Sequence, residues 1–289
     1  MRQELVGLVL AMTAAVPAFG GPIVVNLNSA SAFGLLGGTI SNTGTSVVTG
    51  NVGVQNASGT ITGFNPTGTT VGGSVIAPGT TSSNNAYIDF VNAFNAANLL
   101  ASTQSYSDLT TNRTFIGNNV YTFGLTNIST TTGINLTFDA QNDPNEVFVI
   151  RTDGAFTANG ALTFTLQNQA QASRIFWIVG TSATISVGSS GPITFEGNIL
   201  AGQSFTMSAA AGGSGVLAGT VNGCVFAETA NTLAGTTDIG GCTASANVSV
   251  PEPAPWAMVS VGCLIGMLGL RRVRSNNVLT LRFARGCAA

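Results

Sequence analysis

"VFVIRTDGAFTANG" (147–160) has two near-copies downstream, "FWIVGTSATISVG" (176–188) and "NILAGQSFTMSAA" (198–210). Placing Thr157, Thr184 and Thr206 in register aligns the rest. Phe156, Ala183 and Phe205 precede them, Ala158, Ile185 and Met207 follow, and then come Asn159, Ser186 and Ser208. Strand side chains alternate faces with a period of two. The apolar neighbours of each Thr therefore share one face, and the Thr shares the other with the Asn or Ser two positions on. Upstream, apolar runs end at Ile150, Ile178 and Leu200, six or seven positions before each Thr. These three are expected to stack as one inward ladder. Thr184 follows Thr157 by 27 positions, and Thr206 follows Thr184 by 22. Repeats of that length, built from several short strands, indicate a solenoid. A coil of roughly 20–28 residues accommodates three short strands and three corners, and the unequal intervals put insertions at corners. A sandwich also has alternating strands, but nothing in it requires like residues to stack at a coil period.

One segment changes period. In "SNNAYIDFVNAFNAANLLAS" (83–102), Tyr87, Phe90, Val91, Phe94 and Ala97 follow three-and-four spacing, with Asp89, Asn92 and Asn95 elsewhere. The spacing predicts an amphipathic helix over 83–102, capped by Ser82 or Ser83. A lone helix in a strand-rich chain reads as a strut packed along the coils, covering them with Tyr87, Val91 and Phe94.

Composition narrows the function. The 289 residues include nine Arg and no Lys, eleven acids and no His, for a formal net charge of −2. Only Arg113, Arg151 and Arg174 lie between the two ends. Nucleic acid needs a basic footprint, which this chain lacks. The body holds no apolar run long enough to span a bilayer. It is rich in Gly, Thr, Ser, Asn, Ala and Val, the composition of short strands joined by tight turns.

These stretches resemble the bacterial and fungal ice-binding proteins. The resemblance is carried by "FGLLGGTISNTGTSVVTGNVGV" (33–54), "ITGF" (61–64), the helix, "VYTF" (120–123), "LTFDAQNDPNEVFVIRTDGAFTANGALTF" (136–164), "RIFWIVGTSATI" (174–185) and "FEGNILA" (195–201). It implies an all-β fold, a right-handed triangular β-solenoid with one long α-helix packed alongside, and an ice surface as partner. The family's ice-face pattern, Thr-Ala/Gly-x-Thr/Asn, is partly kept at Thr157-Ala158-Asn159; Ile185 and Met207 stand where it has a small residue. Thr157, Asn159, Thr184, Ser186, Thr206 and Ser208 form the expected ice-binding face.

The two ends read as addresses. Residues 1–20 have a short apolar stretch followed by small residues, as in a secretory signal peptide. Near the other end, Pro251-Glu252-Pro253 precedes a 17-residue apolar run and then Arg271, Arg272 and Arg274. This arrangement over 250–274 resembles a PEP-CTERM sorting signal, which implies removal by an exosortase-type enzyme, a Gram-negative host and an association with exopolysaccharide. Residues 275–289 extend past it. The expected organisation is a signal peptide (1–20), a solenoid domain (21–249), a sorting and transmembrane segment (250–274) and an extension (275–289). The mature chain would be secreted or cell-surface, held at the membrane transiently and only through its C-terminal segment. An exported chain would meet oxidising conditions, in which a Cys224–Cys242 disulfide is expected.

The acids of "FDAQNDPNEVFVIRTDG" (138–154) need a separate account. Asp139, Asn142, Asp143 and Glu146 offer oxygen ligands for calcium, but Asn142-Asp143-Pro144-Asn145 is also a strong turn signal, and no EF-hand spacing is present. They are read as a structural corner, with Arg151 as charge partner. Two thiols without His make too few ligands for a metal site. No general base or carboxylate pair is positioned by spacing, so an enzyme is not expected, nor a cofactor. Two functions of different class remain: an exported ice-binding protein with antifreeze or recrystallisation-inhibiting action, and a structural or adhesive matrix protein of the same fold without ice affinity.

Overall fold

The computed structural model describes residues 22–64, 68–124, 128–130, 133–159, 162–186, 192–208 and 217–242, the side chains of Asn159 and Leu217 excepted. All belong to one unit, Met1–Val248. The expected signal peptide, the sorting signal at Pro251, Glu252, Pro253, Arg271 and Arg272, and the extension lie outside the described residues.

The described chain is mostly short strands, with one α-helix, Thr81–Asn98. The strands form three parallel ladders. The first runs Gln104–Ser105, Asn119–Thr122, Phe148–Thr152, Ile175–Val179, Asn198–Ala201, the first half of Val225–Ala234, the first half of Phe33–Asn42, and Asn51–Val54. The second runs Ile128–Ser129, Phe156–Asn159, Ala183–Ser186, Ser204–Ser208, the second halves of the same two long strands, and Ile61–Thr62. The third has two pieces. One is Arg113–Ile116, Asn135–Asp139 and Thr163–Gln167; the other is Ile193–Glu196, Leu217–Asn222, Thr236–Ile239, Val47–Thr49 and Thr69–Val71.

The stack does not follow the chain. Phe33–Asn42 pairs with Val225–Ala234, so the N-terminal coils sit on the C-terminal one. The chain then leaves that end through the helix and re-enters at the far end with Gln104–Ser105.

Alternation divides the apolar residues into two cores. Inside the coils lie Phe138, Phe148, Ile150, Phe156, Trp177, Ala183, Phe195 and Phe205. The Trp177 ring is 5.1 Å from both Phe156 and Phe195, and its Nε1 donates to the Glu196 carbonyl (2.9 Å). The second core lies between the first ladder and the helix. There Tyr87, Phe90, Phe94 and Ala97 cover Val149, Ile178, Leu200 and Phe226. Val91 is only partly buried.

Three expectations are corrected. Ile150 does not stack on Ile178: it pairs with Trp177, while Arg151 pairs with Ile178 and Ile178 with Leu200. Ile178 and Leu200 also face the helix rather than the coil interior. The apolar run of the earlier coil ends one position sooner because Arg151 occupies the helix-facing site. Arg151 pairs with no acid among the described residues. Its Nη1 donates to the carbonyls of Asn98 (2.5 Å), Leu100 (2.9 Å) and Ala97 (3.4 Å), at the C-terminus of the helix. Finally, the helix is Thr81–Asn98 rather than 83–102, and its N-cap is Thr80, whose Oγ1 accepts from the Ser83 N–H. Gly79 at φ +75° sets the start. At the other end Leu99 is 86% exposed and extends no apolar stripe.

Candidate functional site

The second ladder brings the expected residues together. Thr157, Thr184 and Thr206 are paired in one rank, and Asn159, Ser186 and Ser208 are paired beside it. The first rank is longer than the sequence reading suggested. Ser129 precedes Thr157, and Thr206 is followed by Thr232, Ser41 and Thr62. Seven hydroxyl residues thus lie in register across the break in chain order. Neighbouring members are separated by the strand spacing, about 4.8 Å, and the two ranks by about 6.7 Å along each strand.

Thr232 had a readable signal: "ANTLA" (230–234) repeats the pattern of "SFTMS" (204–208) 26 positions later. Ser41 and Thr62 had none, because they precede the helix and join the rank only through tertiary pairing.

The surface is uncharged. No Asp, Glu or Arg occurs in the strand segments of the second ladder. Five of the rank's hydroxyls are also available. Those of Thr157, Thr184, Thr206, Thr232 and Ser41 bond no protein atom among the described residues. The Thr side chains are half-exposed, so their hydroxyls and methyls meet water.

The position after each rank Thr points inward. Ala158, Ile185, Met207 and Leu233 are fully buried. The departure at Ile185 and Met207 from the small-residue pattern therefore changes how the interior is filled and leaves the outer surface as it is.

The other two ladders differ. The first is covered by the helix. The third carries Asp139, Glu196 and Asp238, and several of its hydroxyls are engaged: Thr163 and Thr165 donate to Asn135 Oδ1 (3.2 and 3.1 Å), and Thr45 bonds Thr236 (2.9 Å).

The acidic stretch forms the corner between the third and first ladders. Asp139 Oδ1 accepts from Gln141 N–H and from Asn168 Nδ2, both at 2.8 Å. These bonds, the one from Asn168 foremost, hold its carboxyl below the usual range. Asp143 Oδ1 accepts from Asn145 N–H (2.9 Å) and Nδ2 (3.1 Å). Gln141 and Asn142 are left-handed (φ 50° and 69°), as are Asn168 and Gln169 (φ 49° and 69°) one coil on, so the corner repeats. Burial, together with the charge of Asp143, raises the Glu146 carboxyl above its ordinary value. Among the described residues no three His, Cys, Asp or Glu side chains converge to hold a metal.

Cys224 and Cys242 are disulfide-bonded, with Cα atoms 4.6 Å apart, at the start of Val225–Ala234 and beside the second core.

Comparison with known proteins gives a consistent answer. A family model described as ice-binding-like matches residues 35–238. An ice-binding protein of Nostoc sp. (strain HG1) is 34% identical over 182 residues. That match spans 63% of this chain and 63% of the relative, somewhat under two thirds of its length. The crystal structure of an ice-binding protein from the Antarctic ascomycete Antarctomyces psychrotrophicus superposes with a TM-score of 0.63 at 28% identity, covering 76% of this chain and all of that one. An ice-binding protein with antifreeze activity from an Arctic yeast shares the fold, with a TM-score of 0.59 at 23% identity over 76% of this chain and 96% of its own. With its coiled parallel ladders, single covering helix and matching sequence over 35–238, the chain belongs to the ice-binding-like family.

Proposed function

We propose that this protein binds ice through the outer surface of its second ladder and thereby limits the growth or recrystallisation of ice. The observation that carries the reading is the uncharged rank Ser129, Thr157, Thr184, Thr206, Thr232, Ser41 and Thr62, in which the hydroxyls of Thr157, Thr184, Thr206, Thr232 and Ser41 bond no protein atom among the described residues. A threonine offers a methyl that sits among caged waters and a hydroxyl that bonds them. Its branched side chain is stiff, so little freedom is lost when water orders around it. Charges would hold their own hydration shells and break the array. Asn159, Ser186 and Ser208 supply the neighbouring rank.

Family membership supports a binding role rather than an enzymatic one. We further read the solenoid as right-handed and triangular: three ladders per coil fit three faces, and parallel strand–crossover–strand connections are right-handed in about 98% of cases. Export, exosortase processing, contact with exopolysaccharide, transient anchoring and a Gram-negative host rest on the sequence of residues 1–20 and 250–274 alone. Among the described residues no helix is long and apolar enough to cross a membrane.

The test is an ice-recrystallisation assay on the full chain with two substitutions. Thr184→Tyr spoils the middle of the rank while suiting a strand; Thr194→Tyr alters the exposed third ladder. The expected outcome is normal folding of both, with activity lost only in Thr184→Tyr. Full activity in that variant moves the ice site to another face. An inactive parent chain favours the matrix-protein reading.

A further inference from the structure

Five Asn-x-Ser/Thr tripeptides with x other than Pro occur in the chain, starting at Asn56, Asn112, Asn127, Asn135 and Asn247. Asn127 and Asn247 lie outside the described residues. We infer that Asn56 is an acceptor for an N-linked glycan, attached during export. The inference rests on the export reading above and not on ice binding.

Glycan transfer to asparagine requires an exposed amide nitrogen, a nearby hydroxyl on the third residue, and a segment that can enter a transferase without breaking the fold. Asn56, Ala57 and Ser58 are all exposed, in the turn between Asn51–Val54 and Ile61–Thr62. Asn56 Oδ1 accepts from Ser58 Oγ (2.6 Å), Ser58 N–H (3.0 Å) and Gly59 N–H (2.9 Å). Its Nδ2 bonds no protein atom among the described residues. With all three bonds on the oxygen, the nitrogen side of the amide is left open. A hydroxyl that donates to an amide oxygen also draws electron density from the amide and makes its N–H a readier proton donor.

The other described tripeptides lack this combination. Asn135 is locked into the third ladder. Its Oδ1 takes the hydroxyls of Thr163 and Thr165, and its Nδ2 faces Thr137 Oγ1 at 3.4 Å. Asn112 is exposed, but its Oδ1 holds the Asn135 N–H of the next coil (2.8 Å), and Thr114 belongs to the strand Arg113–Ile116. Lifting that segment would break ladder bonds; lifting 56–59 would disturb only hydrogen bonds within the turn itself.

The donor class is a glycosyl diphosphate, lipid-linked or nucleotide-linked. The Asn56 Nδ2–C1 bond forms, the bond from C1 to the diphosphate oxygen breaks, the diphosphate departs, and the amide proton passes to a base of the transferase. No electron transfer is involved. The turn lies at the corner before Thr62, in the outermost coil, so a glycan there would stand beside the hydroxyl rank rather than on it.

The experiment secretes the full chain from a host that performs N-glycosylation and maps the recovered protein by peptide mass spectrometry, with and without a glycosidase. The expected result is a glycan on Asn56, lost in Asn56→Gln and Ser58→Ala, kept in Ser58→Thr, and absent from Asn135. An unmodified Asn56 in chain recovered outside the cell overturns the assignment while export stands, as does modification of Asn112 or Asn135 in its place. If the chain stays inside the cell, the export reading fails, and purified full chain is given to a transferase with its glycosyl diphosphate donor. Modification at Asn56 then supports the acceptor assignment, and a bare Asn56 overturns it.

Discussion

Glu146 lies in the acidic corner with Oε2 buried and without a hydrogen-bond partner among the described residues. Gly117 is a glycine here for a steric reason: a Cβ on it would come within 2.4 Å of the Glu146 Cβ. Burial and Asp143 raise the folded-state pKa of Glu146 above its ordinary 4.5. The folded state therefore binds more protons than the unfolded state between those two values, and stability falls as pH rises through that window. Asp108 and Asp139 act in the opposite sense. Hydrogen bonds lower their pKa values, so their contribution is present above the ordinary value of 3.8 and is lost as pH falls through the folded one. Glu146→Gln should therefore raise the melting temperature at about pH 7 and leave it unchanged near about pH 3. Thermal melts of the two proteins at both pH values check this, and an equal or lower melting temperature for the variant at neutral pH would contradict it.

The helix is held at both ends by named groups. Thr80 caps its start, and Arg151 of the first ladder binds its last carbonyls. A guanidinium at a helix C-terminus meets the negative end of the macrodipole, and hydrogen bonds to charged groups contribute about 1.5–3 kcal/mol. Arg151→Met keeps much of the side-chain bulk and removes the charge, and it should cost about 2–3 kcal/mol. Denaturant titration reads the loss, and hydrogen exchange should quicken in the last turn, near Ala97 and Asn98. Unchanged exchange there would mean that the packing of Phe90 and Phe94 alone holds the helix. The three-and-four spacing of Tyr87, Phe90 and Phe94 made this helix and its buried face legible in the sequence. Its latch was not legible, because Arg151 reads as one charge beside an acidic run until the fold places it under residues 97–100.

At the scale of the whole molecule, the stack closes through the pairing of its two chain-distant parts. Leu35–Asn42 pairs with Val225–Leu233, with one shift of register between Gly37 and Thr39. The disulfide between Cys224 and Cys242 joins residues 18 apart and ties together the coil on which the N-terminal coils dock. Closing a loop of that size removes roughly 3 kcal/mol of unfolded-state entropy at 25 °C. The double variant Cys224→Ser, Cys242→Ser should lose stability of about that size, measured by denaturant unfolding, and reduction of the parent chain should reproduce it. A loss well under about 1 kcal/mol would show that strand pairing already fixes this end without help.

The sequence by itself determined the alternation in each strand, the intervals of 27 and 22 that bring Thr157, Thr184 and Thr206 into register, and the one amphipathic helix. Each is a local property: a period records which way a side chain faces relative to its near neighbours in the chain. Tertiary structure decided the rest. It set Arg151, and not Ile150, against Ile178. It also extended the hydroxyl rank to Ser41 and Thr62 by pairing strands whose partners, such as Leu35 and Val225, are 190 positions apart. Ladder hydrogen bonds join backbone groups that nearly every residue carries. No residue pattern therefore announces which distant strand will be the neighbour, and only burial of the two cores selects it.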